Sequence, residues 1–199
     1  AELRDIDLNI IKALAIAIDD LYNTRKELED YVEIIMQNIS PNMTALVGSL
    51  VGARLISLAG SLKELARKPS STVQVFGAEK ALFRSLKTGA DPPKHGIIFR
   101  VSEIHTAPYW QRGKIARALA GKLSIAARID AYSDRNIGIS LREDFLKRVE
   151  EIKKQNPDPP PPKPAKPRPV ERKRPQRRDH SPRRDHKRDN RRRGGGRKY

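Results

Sequence analysis

The stretch IIKALAIAIDDLYNTRKELEDYVEIIMQNI, residues 10–39, decides the fold class. Its apolar residues Ile11, Leu14, Ile18, Leu21, Leu28, Val32, Ile35 and Ile39 recur at three- and four-residue spacing, broken only by Arg25. That spacing is the seam of a heptad helix. A helix over residues 3–38 would be about 54 Å long at 1.5 Å per residue, a length suited to leaving the globule or pairing with another helix. Ile10, Ile16 and Ile34 widen the stripe beyond a strict seam, which keeps open a core helix of an ordinary bundle.

Working downstream, Ser40-Pro41 reads as an N-cap with proline at the first helical position. Gly48, Gly52 and Gly60 divide the chain up to Pro69 into two or three short helices. Thr72–Phe76 is expected to be a brief extended segment, and Gly77–Lys87 a helix stopped by Gly89, with Ala81, Leu82 and Leu86 facing inward. The composition of residues 89–96, GADPPKHG, predicts a loop, and Ile97-Ile98-Phe99 a short buried extended piece. Helices over 109–132 and 140–154 follow. The second opens on the capping-box pattern Ser140-Leu-Arg-Glu143 and buries Leu141, Phe145, Val149 and Ile152. Strand signals are too few for a sheet, so the class is all-α. The expected organisation is a long coiled-coil-type helix over 1–39, a compact helical domain over 40–156, and a disordered Pro/Arg/Lys-rich tail over 157–199.

Charge separates these parts. Of the 41 Lys+Arg and 24 Asp+Glu that give the chain its +17, residues 157–199 hold 17 and 5, together with 10 of the 15 prolines. Such a composition cannot bury enough apolar surface to offset the entropy of ordering it. Within the rest, residues 1–75 carry 8 basic and 10 acidic groups, and residues 129–156 carry 6 of each. Residues 76–128 carry 10 basic and 3 acidic groups. The folded positive charge is therefore concentrated in one third of the fold, which a merely solvated surface would not require.

On a helix over 109–132, Trp110, Lys114, Arg117, Gly121, Ser124 and Arg128 fall within an arc of roughly 80° at about 100° per residue. Ile115, Ala116, Leu119, Ala120, Leu123, Ala126, Ala127 and Ile129 fall opposite. Lys122 lies at the border and Arg112 toward the apolar side. No acidic residue lies between Glu103 and Asp130, so carboxylates one turn away do not neutralise these cations. Lys94-His95 sits in the Pro-Pro loop, where an imidazole could stack on an unpaired base or bond a phosphate. A solvated helix face and a surface histidine are the plain alternatives.

Several classes are disfavoured. The chain has no cysteine, hence no disulfides, no thiolate zinc site and no cysteine nucleophile, which fits a reducing intracellular setting. No other metal-ligand spacing and no cofactor motif is present. Gly113-Lys114 lacks the upstream glycine and following Ser/Thr of a phosphate-binding loop, and no catalytic triad pattern is found. An enzyme is not expected. Neither a membrane-spanning run nor a signal peptide is found. The start at Ala1, without Met and inside a helical pattern, suggests a piece of a longer protein.

The run Gly77-Ala-Glu-Lys-Ala-Leu-Phe-Arg84, then Pro92-Pro-Lys-His-Gly-Ile-Ile-Phe99, then Trp110-Gln-Arg-Gly-Lys-Ile-Ala-Arg117 to Ala126-Ala-Arg-Ile-Asp130 resembles the Nop domain of archaeal Nop proteins, which scaffold box C/D RNA-guided methylation particles. Asp5-Ile-Asp-Leu, Ser40-Pro-Asn-Met-Thr-Ala-Leu-Val-Gly and Ala53-Arg-Leu-Ile-Ser-Leu-Ala-Gly60 resemble the same family, so the likeness runs over nearly all of residues 3–154. It implies a noncatalytic helical module without cofactors, working in the cytoplasm of an archaeal cell. Such a module docks on a kink-turn guide RNA once a ribosomal-type kink-turn-binding protein is in place. The resemblance places Lys80, Arg84, Lys87, Lys94, His95, Lys114, Arg117 and Arg128 at the RNA and Glu79 at the protein partner. It also implies self-association through the coiled coil, and binding of fibrillarin through a further domain rather than through this fragment. A coiled-coil structural protein with a nonspecific polyanion-binding tail is the alternative.

Overall fold

Helix α1 (Asp5–Ile39) runs 35 residues without a break, its first turn carrying Asp5 and Asp7 where the helix dipole favours anions. The computed structural model describes residues 5–161, which lie in one compact unit. The tail expected from Pro157 onward falls outside the described residues except for Pro157–Pro161. Met36 is the only buried residue of α1. Leu14 and Leu21 of the heptad seam are 61% and 70% exposed, so α1 is not a core helix of this unit. Only its last turns pack, against α3 (Ser49–Ala59) and α2 (Pro41–Val47). Gly52 leaves room for the Met36 tip, since a Cβ there would lie 2.8 Å from Met36 Cε.

Three short helices follow, as the glycine spacing predicts: α2, α3 and α4 (Leu62–Arg67). Gly48, at φ 80°, breaks α2 from α3, which turn 118° from one another. Ser40 occupies the N-cap of α2 and Pro41 its first position, but the serine side chain does not cap. Its hydroxyl turns to Met36 Sδ, and the capping comes from Asp130, 88 residues beyond Asn42. The Asp130 carboxylate accepts the backbone N–H of Asn42 at 3.1 Å and of Met43 at 3.0 Å, and the Asn42 amide at 2.6 Å. A carboxylate at this end also meets the positive end of the helix dipole.

Two expected extended segments are helical. Thr72–Phe76 falls mostly within α5 (Ser70–Val75). There the N–H groups of Thr72 and Val73 donate to the Pro69 carbonyl, and burial of Val73 against the core outweighs the strand preference of β-branched residues. Ile97-Ile98-Phe99 opens a 3-10 turn, Ile97–Arg100. An apolar run that short fits a buried turn as well as a strand. Helix α6 (Glu79–Thr88) ends at Gly89 in the left-handed conformation, φ 70°, as expected. However, its inner face runs through Ala81, Leu82 and Ser85, and Leu86, expected inward, is 73% exposed.

After α7 (Ser102–His105), helix α8 (Tyr109–Tyr132) forms the hub, packing against α2, α4, α5 and α9 (Gly138–Gln155). Its alanines let four neighbours approach closely, and Ile115, Leu119 and Leu123 fill the centre with Met43, Leu46 and Phe145. Leu141, Phe145, Val149 and Ile152 are buried on α9 as their spacing predicts. The Ser140–Glu143 capping box does not form. The helix starts two residues earlier, where the Ile137 N–H donates to Asn42 Oδ1 at 2.7 Å, and Ser140 and Glu143 are both exposed. Among the described residues no single helix is long and apolar enough to cross a membrane.

Candidate nucleic-acid interface

Burial leaves α8 a single outward stripe. Lys114, Arg117, Arg128 and Tyr132 are exposed on it, with Gly121 half-buried between them. The stripe is centred slightly farther round than the sequence arc, so Ser124 turns inward and Ile125 outward, 5% and 43% exposed. The Ser124 hydroxyl is buried without a hydrogen-bond partner. Trp110 is half-buried rather than on the open front.

Lys114 and Arg117 line a groove of about 520 Å³ together with Arg148 and Asn156 from the other side. No carboxylate lines it. Lys114 Nζ donates to Asn156 Oδ1, Arg117 makes no hydrogen bond or ion pair among the described residues, and Arg148 pairs with Glu151 at 2.5 Å. Helical spacing within 109–132 could not find Arg148, because α9 brings it in from the next helix. Lys122, at the edge of the sequence arc, is neutralised by Asp144 at 2.9 Å. That bond holds the Asp144 carboxyl below the usual carboxylate range.

Arg128 stands apart, about 21 Å along the helix from Lys114 at 1.5 Å per residue. Its Nε donates to the Ala66 carbonyl at 3.2 Å, so it also satisfies the end of α4. Lys80, Arg84 and Lys87 are exposed on α6 without ion pairs among the described residues, and none of them lines the α8 groove. Glu79, beside them, accepts the Gly77 N–H at 2.7 Å.

The loop bearing Lys94 and His95 is pinned at Gly96. The Gly96 N–H donates to the Gln74 carbonyl and the Ile97 N–H to that of Phe76. A Cβ on Gly96 would lie 1.9 Å from the Phe76 oxygen, so only glycine permits this approach. The His95 ring stacks on Phe99, centroids 4.6 Å apart and 13° from parallel. Arg112 sits over the same Phe99 ring at 5.3 Å and donates to the carbonyls of Ala107 and His105. Burial first, then the charges of Arg112 and Lys94, lower the His95 pKa below its ordinary value, favouring the neutral imidazole. The stacking surface expected of His95 is thus already engaged on one side by Phe99. Lys94 lies over the Tyr109 ring, its Nζ 3.8 Å from the centroid.

Among the described residues no group of three or more His, Cys, Asp or Glu could hold a metal ion. The chemistry on offer is guanidinium, ammonium and ring stacking, which binds phosphates and bases.

Comparison with known proteins points the same way. A family model described as "Nop: snoRNA binding domain, fibrillarin" matches residues 1–151. An uncharacterized NOP5 family protein of Methanocaldococcus jannaschii is 54% identical over 158 residues, covering 79% of this chain and 38% of that protein. Nucleolar protein 58 of Debaryomyces hansenii is 50% identical over 146 residues, 71% and 28% of the two chains. Nucleolar protein 56 of Caenorhabditis elegans is 45% identical over 152 residues, 75% and 31%. The chain thus spans less than two fifths of the length of these relatives. The crystal structure of a fibrillarin/Nop5p complex contains a chain with TM-score 0.59 and 38% identity, matched over 76% of this chain and 56% of that one.

Proposed function

The chain belongs to the Nop family, and from that premise we propose that it is a noncatalytic RNA-binding module of a box C/D RNA-guided 2'-O-methylation particle. In this reading it docks on a kink-turn guide RNA already held by a ribosomal-type kink-turn-binding protein, in the cytoplasm of an archaeal cell. Lys114, Arg117 and Arg128 on α8, with Lys94 and His95 on the loop, face the RNA. Lys80, Arg84 and Lys87 on α6 engage a second stretch of it, and Glu79 meets the protein partner, since a carboxylate repels phosphate. Fibrillarin is bound by a further domain of the family's longer members rather than through this fragment. The uncovered seam of α1 supports self-association with another long helix.

The observation that carries the reading is the groove in which Lys114, Arg117 and Arg148 converge with no lining carboxylate. Phosphate contacts of this kind supply affinity and register rather than sequence preference, so shape and the partner protein provide the selectivity. Replacing the three residues by Ala is expected to lower the slope of log K against log salt by about 3. As exposed side chains, their loss should move stability by less than about 1 kcal/mol. An unchanged salt slope would place the phosphates elsewhere.

A further inference from the structure

Trp110 is the only tryptophan of the chain, and it stands beside Tyr109 in the first turn of α8. With Asp91, Lys94 and Pro159–Pro161, these two rings wall a cleft of about 280 Å³ that is separate from the groove at Arg117. The cleft joins three parts distant in sequence: the loop after α6, the start of α8 and the chain leaving α9. Asn156 ties the last two together. Its carbonyl accepts from Trp110 Nε1 at 3.1 Å and from Gln111 Nε2 at 2.8 Å, and its amide donates to the Ile152 carbonyl at 2.9 Å. Three successive prolines then form the facing wall, stiff because their φ angles are locked.

The lining suits a flat ring better than a phosphate. Tyr109 and Trp110 offer aromatic surface and the prolines rigid apolar surface, which favours a planar apolar face over a hydrated phosphate. Lys94 supplies one cation at the rim, 3.8 Å from the Tyr109 centroid. The volume admits a single nucleobase with its ribose and excludes a duplex. Lys114 begins the cation groove one helical turn on, about 6 Å along the axis. A strand whose phosphates rest on Lys114 and Arg117 therefore passes within one nucleotide's reach of the cleft.

We propose that this cleft receives an unpaired nucleobase of the bound RNA, stacked between the Tyr109–Trp110 pair and the proline wall, with Lys94 meeting the adjoining phosphate. It is a base site distinct from His95, whose ring lies on Phe99. The assignment rests on the RNA-binding reading above and adds a place where a base, rather than the backbone, is held.

Because Trp110 is the sole indole, its fluorescence reports the cleft directly. The full chain is titrated with a short oligouridylate and with an abasic strand carrying the same number of phosphates, so that charge contributions cancel. The base-bearing strand should quench the emission and bind about tenfold more tightly, a typical gain for one base stacked on aromatic side chains. Tyr109→Ala, at a residue 68% exposed and so safe for folding, should bring the affinity of the base-bearing strand down to that of the abasic strand. Equal affinities without quenching, or an advantage that survives Tyr109→Ala, overturn the cleft assignment while the RNA-binding reading stands. Quenching by an oligoproline peptide but not by oligouridylate overturns it in favour of a peptide groove. Failure of both strands to bind overturns the cleft assignment and leaves the composite RNA–protein reading to its own isotherms.

Discussion

Helices α1 and α8 are both long, yet α1 buries only Met36 over 35 residues whereas α8 buries nine residues over 24. The difference lies in side-chain size and partner geometry. Along α1, large residues such as Ile11, Leu14, Ile18 and Leu21 recur at heptad spacing and form a ridge that another helix can interlock with. Along α8, alanines alternate with Ile115, Leu119 and Leu123, so that four helices fit close around it. One helix is an apolar ridge awaiting a long partner, and the other is the axle of a finished core. Apolar content alone does not distinguish the two; the size and period of the residues do.

Each helix can be perturbed without the other. The largest effect is expected at Asp130, whose carboxylate bonds the start of α2 three times. Asp130→Ala leaves the backbone N–H groups of Asn42 and Met43 without that partner, the Asn42 amide keeping the Arg135 carbonyl, and should cost about 3 kcal/mol, lowering the midpoint in a calorimetric melt by roughly 10 °C for a domain of this size. Leu21→Glu on α1 should leave that melt nearly unchanged, because Leu21 is exposed. It should instead weaken self-association of the full chain in sedimentation, a charge at a seam position being costly only when the seam is covered. If Leu21→Glu destabilises the domain as much as Asp130→Ala, the contrast between the two helices fails.

A smaller effect is expected at His95. Its folded pKa lies below the ordinary 6.5, so the folded state binds fewer protons than the unfolded one in that window. Its contribution to stability is therefore complete above about 6.5 and declines as pH falls toward the lowered value. A titration of the imidazole resonances by NMR should give His95 a midpoint below 6.5, moving upward when Arg112 is replaced by Met. A midpoint at or above 6.5 would contradict the burial and charge assigned to the loop.

Much of the fold was legible where one helix face met one core. The spacing of Leu141, Phe145, Val149 and Ile152, the stop at Gly89 and the breaks at Gly48 and Gly60 are local signals, and each has its structural counterpart. What misled were short segments and long-range partners. Thr72–Phe76 and Ile97–Phe99 are too short for period to separate a turn from a strand. The capping residues proposed at Ser40 and Ser140 yield to Asp130 and Asn42, which only the tertiary fold brings to those helix ends. In the site, Lys114 and Arg117 follow from the helical wheel. Arg148 comes from α9, and the proline wall of the cleft from a segment that composition alone marks as tail. Ser124 and Ile125 exchange places because the outward stripe depends on which neighbours cover α8, a matter of packing rather than of one helix's spacing.

The proposed recognition resides in the folded unit, not in the basic tail, and requires a composite of RNA and protein. The most direct test is the binding isotherm of residues 1–161 on a kink-turn RNA, with and without the kink-turn-binding protein. Affinity is expected to rise at least about tenfold when that protein is present, equivalent to about 1.4 kcal/mol of coupling. Equal affinity in the two isotherms, or loss of all binding once residues 162–199 are removed, would contradict it.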